Sequence, residues 1–225
     1  MEDKAFDIRP AERICTVNEY YFSRKLKEVA RMNAEGMDII SLAIGSPDMP
    51  PSDSTIQTLC HEAAKPTAHG YQPTIGTPEL RSAMAGFYRR WYGVELDAEK
   101  EILPLIGSKE GILHVTLAFV NPGDQVLVPN PGYPTYTSLS KILGAEVVPY
   151  ELSQENAWQP DLDALEQTDL SRVKIMWTNY PHMPTGARAM RKTYQALVDF
   201  ALRHNLIIVN DNPYSFILND NPMSI

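Results

Sequence analysis

The sequence predicts an α/β fold, a mostly parallel β-sheet covered by helices, preceded by a helical N-terminal arm. Three observations lead there. From residue 102 onward, short β-prone runs alternate with helical patterns, which is how βα units read. The runs over 125–129, 173–178 and 206–210 are apolar rather than alternating, as expected of parallel strands covered on both faces. Loops rich in proline and glycine follow these runs, and open α/β sheets bind ligands beyond the carboxyl ends of their strands.

The elements follow in order. Phe22, Leu26, Val29 and Ala30 share one helical stripe and Gly36 marks its stop. Residues 38–44 run extended into Gly45-Ser46-Pro47-Asp48, and Pro50-Pro51 stiffens that loop. A second helix carries Ile56, Leu59, Cys60 and Ala63. A third opens with Thr77 as N-cap and Pro78 in the first turn, with Leu80, Met84, Phe87 and Trp91 on its expected buried side. Strands are predicted over 102–106, 125–129, 147–150, 173–178 and 206–210. Helices are predicted over 112–120, 134–143, 162–167 and 191–204, the last with Tyr194, Leu197, Val198 and Ala201 inward. The expected division is an arm and helix over 1–50 and one α/β domain over 51–225, with no internal repeat or flexible linker.

Composition narrows the function. The chain has 225 residues, 44% hydrophobic and 21% charged, enough for one large domain or two small ones at roughly 100–200 residues each. No run reaches the ~18 apolar residues of a membrane helix, and the N-terminus lacks a basic segment followed by an apolar one. A cytoplasmic protein without a membrane role is expected. A net charge of −8 argues against nucleic acid as a partner. Cys15 and Cys60 fit no metal-ligand spacing and are expected to be reduced and structural; no metal is expected.

Four strand-end loops carry the candidate chemistry. Gly107-Ser108-Lys109-Glu110-Gly111 stands where a helix start cradles a phosphate, or simply caps the helix. Asn130-Pro131-Gly132-Tyr133-Pro134 presents an aromatic ring on a stiff turn, to stack on a planar cofactor or to pack over a helix end. Asn179-Tyr180-Pro181-His182-Met183-Pro184-Thr185-Gly186 fixes a third loop. Asp211, after an apolar strand and before Asn212-Pro213-Tyr214, is a carboxylate that needs a cationic or donor partner unless it caps a helix.

Together with Tyr71 and Gly45-Ser46-Pro47-Asp48, these loops resemble, in order along essentially the whole chain, the class I/II aminotransferases of pyridoxal-phosphate fold type I. The segment from Tyr71 to Arg81 is similar to the family's Tyr…Gly…Glu-Leu-Arg pattern. The resemblance implies pyridoxal 5′-phosphate (PLP) as cofactor, with its phosphate on Gly107, Ser108 and Lys109. It implies that Tyr133 stacks on the pyridine ring and that Asp211 pairs with the ring nitrogen. It further implies that Tyr214 bonds the ring hydroxyl and that Tyr71 reaches the phosphate of the neighbouring subunit, hence a homodimer. Ile44 and Gly45 would line the substrate carboxylate site. The implied reaction moves an amino group between an amino acid and a 2-oxo acid.

Two departures stand out. The family places Asn immediately before Pro-Thr-Gly as a donor to the ring hydroxyl; here Met183 stands there, and a thioether cannot donate. Either His182 or Asn179 takes over, or Tyr214 serves alone. The family's Schiff-base lysine follows the strand-end Asp, whereas Lys109, Lys141, Lys174 and Lys192 all precede Asp211. The expectation is therefore the N-terminal portion of an aminotransferase, with the large domain incomplete, the small C-terminal domain absent, and little activity in these residues alone. The alternatives are a carbon–sulfur lyase or related enzyme of the same fold, or a non-catalytic remnant.

Overall fold

The computed structural model describes residues 8–15, 17, 19, 21–42, 45, 48–217 and 219–225. The chain divides into two compact units, Asn18–Thr77, and Met1–Val17 with Pro78–Ile225.

The smaller unit holds α1 (Tyr21–Ala34) and α2 (Asp53–Ala63). Gly36, at φ 88°, closes α1 where the sequence places its stop, in the left-handed conformation that glycine adopts without steric penalty. Ser52 caps α2, its side chain accepting from the Thr55 backbone N–H. Residues 38–42 join no strand ladder, and Asp38 turns left-handed at φ 49°. Ile44 lies outside the described residues.

The larger unit begins with α3 (Pro78–Tyr92). Its expected buried stripe is a correction: Leu80, Phe87 and Trp91 are all more than 40% exposed, while Arg81 is buried. The physical reason is a polar anchor. The Arg81 guanidinium donates to the Ala98 carbonyl at 2.7 Å and pairs with Glu99 at 3.2 Å, which fixes the side of the helix that faces inward. Phe87 and Trp91 instead meet Phe216, with ring centroids 5.5 and 5.3 Å apart. The strand expected over 102–106 is a second correction. Among the described residues no strand runs beside it, and Pro104 offers no N–H, so it stays extended and unpaired.

The sheet has four parallel strands in the order β2-β1-β3-β4. They are β1 (Gln125–Asn130), β2 (Glu146–Glu151), β3 (Val173–Asn179) and β4 (Ile207–Asp211). Helices α4 (Ser108–Phe119), α5 (Pro134–Ile142), the short α6 (Leu162–Leu165) and α7 (Arg191–His204) cover it. Side chains alternate across the central strands. Val126, Val128, Ile175 and Trp177 pack with Ile112 and Tyr136 on one face. On the other, Leu127 and Met176 pack with Leu197 and Phe200. Phe200 is buried on α7, whereas Val198, expected to face inward, is 37% exposed.

At the amino end of the sheet Arg172 meets Glu146 at 2.8 Å and donates to the Gly123 carbonyl at 3.0 Å. Glu166 holds Arg203 and His204, each at 2.7 Å. Cys15 and Cys60 are free and exposed rather than packed. No helix among the described residues is long and apolar enough to cross a membrane.

Candidate active site

Strand order runs outward in two directions from the β1/β3 pair, with β2 beyond β1 and β4 beyond β3. The carboxyl ends of β1 and β3 thus form a topological switch point, where diverging loops open a crevice. His182, buried, spans the two loops. Its Nε2 lies 3.1 Å from the Pro131 carbonyl and its Nδ1 2.8 Å from Thr185 Oγ1. A carbonyl only accepts, so Nε2 carries the proton and Nδ1 accepts from the threonine hydroxyl. Burial holds the imidazole below its usual pKa, with the bond to Pro131 opposing.

Asn179 at the end of β3 is also buried. Its amide donates to the Asp211 carbonyl at 2.6 Å and accepts from the Met183 N–H at 2.7 Å. Neither Asn179 nor His182 therefore stands idle as a replacement for the missing asparagine donor. The Tyr214 hydroxyl donates to Met183 Sδ at 3.5 Å, a soft acceptor that a better one can displace.

Asp211 ends β4. Its Oδ2 accepts from the Tyr136 hydroxyl at 2.9 Å. Burial raises the carboxyl above its ordinary pKa, and the tyrosine bond pulls it back. Burial and the adjacent Asp211 drive the Tyr136 phenol far above its own usual value, so this hydroxyl acts only as a neutral donor. The Tyr136 ring stacks on Trp177 at 5.1 Å with 4° between the planes, and meets Tyr133 edge to face at 5.6 Å.

Tyr133 stands at the start of α5 behind Gly132, where a Cβ would run into the Pro129 carbonyl; glycine there is a matter of space. The Lys109 ammonium lies 5.8 Å from the Tyr133 ring centre, so the α4 start and the Tyr133 turn converge. Gly107 precedes α4, and a Cβ on it would meet nothing within 4 Å. Space is thus open before a helix start whose dipole and N–H groups favour an anion. Ser108 and Lys109 form the first turn there.

The larger unit thus brings Gly107, Ser108, Lys109, Tyr133, Asp211 and Tyr214 to the strand-end side of one sheet. Tyr71 and Gly45 belong to the smaller unit, where both are exposed. Tyr136 and Trp177 are absent from the sequence-based site, although the spacing of Tyr133 and Tyr136 already puts them on one side of a helical turn. A mainly apolar cleft of 900 Å³, lined by Met84, Phe87, Ile102 and Leu105 among others, also reaches Gly107, Ser108 and Asn210 but not Asp211 or Tyr133.

An open helix start, an aromatic platform and a half-buried carboxylate fit a flat phosphorylated heteroaromatic ring with a protonated nitrogen. A parallel α/β sheet with these groups at its strand ends defines the PLP-dependent enzymes of fold type I. The sequence model described as aminotransferase class I and II matches residues 37–223. The chain belongs to this family of PLP-dependent enzymes. It is 45% identical over 210 residues to an LL-diaminopimelate aminotransferase of Dehalococcoides mccartyi, covering 93% of this chain and 54% of that protein. It is 43% identical to one of Nitratidesulfovibrio vulgaris, covering 97% and 57%. The structure of apo-BacF from Bacillus subtilis superposes with a TM-score of 0.88 at 36% identity, covering 97% of this chain and 56% of that one. The chain thus spans about half the length of the relatives it matches.

Proposed function

We propose that these residues form the cofactor-binding part of an aminotransferase that takes LL-diaminopimelate as amino donor and a 2-oxo acid as acceptor. The observation that carries the reading is the identity of 45% and 43% to two relatives of that name. The roles of the site residues belong to the same proposal. The α4 start at Gly107, Ser108 and Lys109 holds the PLP phosphate, Tyr133 supports the ring face, and Asp211 keeps the ring nitrogen protonated. Tyr214 exchanges its weak bond to Met183 for one to the ring hydroxyl. Ile44 and Gly45 line the substrate carboxylate site, and Tyr71 reaches across a homodimer working in the cytoplasm. Bound PLP supplies an electron-poor ring that accepts the charge left when an amino acid loses its α-proton. The protein contributes orientation and electrostatics: a phosphate anchor, a platform, and a carboxylate opposite a cationic nitrogen.

The test has two arms. An absorbance titration with PLP should show saturable binding that Asp211→Asn weakens by about tenfold, equivalent to about 1.4 kcal/mol. Equal affinity in both proteins would refute the assignment of Asp211. With LL-diaminopimelate and a panel of 2-oxo acids, the protein carrying the relatives' full length should yield the amino acid of the acceptor. Transfer from other amino acids but not from LL-diaminopimelate would overturn the substrate.

A further inference from the structure

We infer that His182 is a positioning residue: its bond to Pro131 latches the turn that carries Tyr133 to the loop after β3, and so sets the width of the crevice between them. The inference rests on the reading of Tyr133 as the support of the PLP ring. The sheet parts at this point. β1 pairs with β2 as far as Asn130 and Glu151, and β3 with β4 as far as Asn179 and Asp211, whereas the pairing of β1 with β3 ends at Leu127 and Met176. The ends of the two central strands, 128–130 and 177–179, thus have no partner in each other. Tyr133 follows one side of that gap, and Asp211 is paired to the other. Among the described residues the His182 imidazole makes the one hydrogen bond between residues 130–134 and 179–186. His182 is 2% exposed and is fixed before it reaches across. Its N–H donates to the Ala187 carbonyl and its carbonyl accepts from the Gly186 N–H, both at 2.7 Å. Thr185 Oγ1 on Nδ1 sets the rotation of the ring, which aims Nε2 at the Pro131 carbonyl 3.1 Å away. On the far side, Gly132 lies against the Pro129 carbonyl with no room for a Cβ, so a shift at Pro131 passes through a tight turn to Tyr133. A carbonyl that loses its donor turns toward water or another partner, and the platform turns with it.

The experiment compares His182→Gln with His182→Asn by absorbance titration with PLP. A glutamine amide reaches as far as Nε2 and can donate to Pro131; an asparagine amide reaches as far as Nδ1, can keep the bond to Thr185, and leaves Pro131 without its donor. His182→Gln should bind PLP within about twofold of the parent, and His182→Asn about tenfold more weakly. In Tyr133→Ala, which itself binds more weakly than the parent, adding His182→Asn should cost less than about twofold, because its effect passes through Tyr133. Parent-like affinity in His182→Asn, matching losses in the two amide variants, or the same loss with and without Tyr133 overturns the inference and leaves the reading of Tyr133 intact. Parent-like affinity in Tyr133→Ala removes that reading, and the latch falls with it. Thermal unfolding checks that each variant is folded. Nitrogen NMR of the imidazole in the parent protein without cofactor needs no variant: it should show the proton on Nε2, and a proton on Nδ1 in its place overturns the inference.

Discussion

Asp211 works against the fold that holds it. Burial raises its carboxyl pKa and the Tyr136 hydrogen bond offsets only part of that. A carboxyl raised on folding contributes stability below its unfolded value and loses it as pH rises through the folded value. Asp211→Asn is therefore expected to raise the midpoint of thermal unfolding at pH 7 even as it weakens PLP binding, a trade-off common at functional sites. A lower midpoint would count against an electrostatic burden at this position. Asp211 was legible in the sequence because a carboxylate following four apolar residues needs an explanation. Tyr136 was not, since an aromatic near a helix start reads as core until its distant acceptor is known.

Among the elements, legibility followed locality. Caps and stops lie within a few residues of what they terminate, so the end of α1 and the start of α3 could be placed from Gly36 and Pro78, whereas the Ser52 cap of α2 was not read. The apolar runs of β1, β3 and β4 announced parallel strands, but not which of them would be central. Residues 102–106 read the same way, yet a strand needs a neighbour, and pairing is not a property of the segment itself. Likewise the stripe on α3 was visible, but not the choice of Arg81 as its inward anchor. The Gly132 turn is the element most sensitive to a single atom. Gly132→Ala is expected to cost about 1–3 kcal/mol in urea denaturation, because the Pro129 carbonyl leaves no room for a Cβ. A loss below about 0.5 kcal/mol, the usual scatter of surface substitutions, would mean that the turn can shift.

For the molecule as a whole, acid should reveal the span across the crevice. The His182 pKa is lowered by burial, so its contribution to stability is full above the unfolded value of about 6.5 and is lost as pH falls through the folded value. Protonation would also place a donor at Nδ1, against a Thr185 hydroxyl that already accepts from the Ala187 N–H at 3.3 Å. Stability measured by denaturant should fall as pH drops below about 6.5, and His182→Gln should flatten that limb. A limb of unchanged slope would assign the acid sensitivity to other groups. The ion pairs of Arg172 with Glu146 and of Glu166 with Arg203 and His204 all lie at the opposite, amino end of the strands. The sheet of the larger unit therefore has a handle and a working tip. A dye, tether or affinity tag grafted near Asp169 and Ser171 attaches to the handle and reports on the tip without touching it.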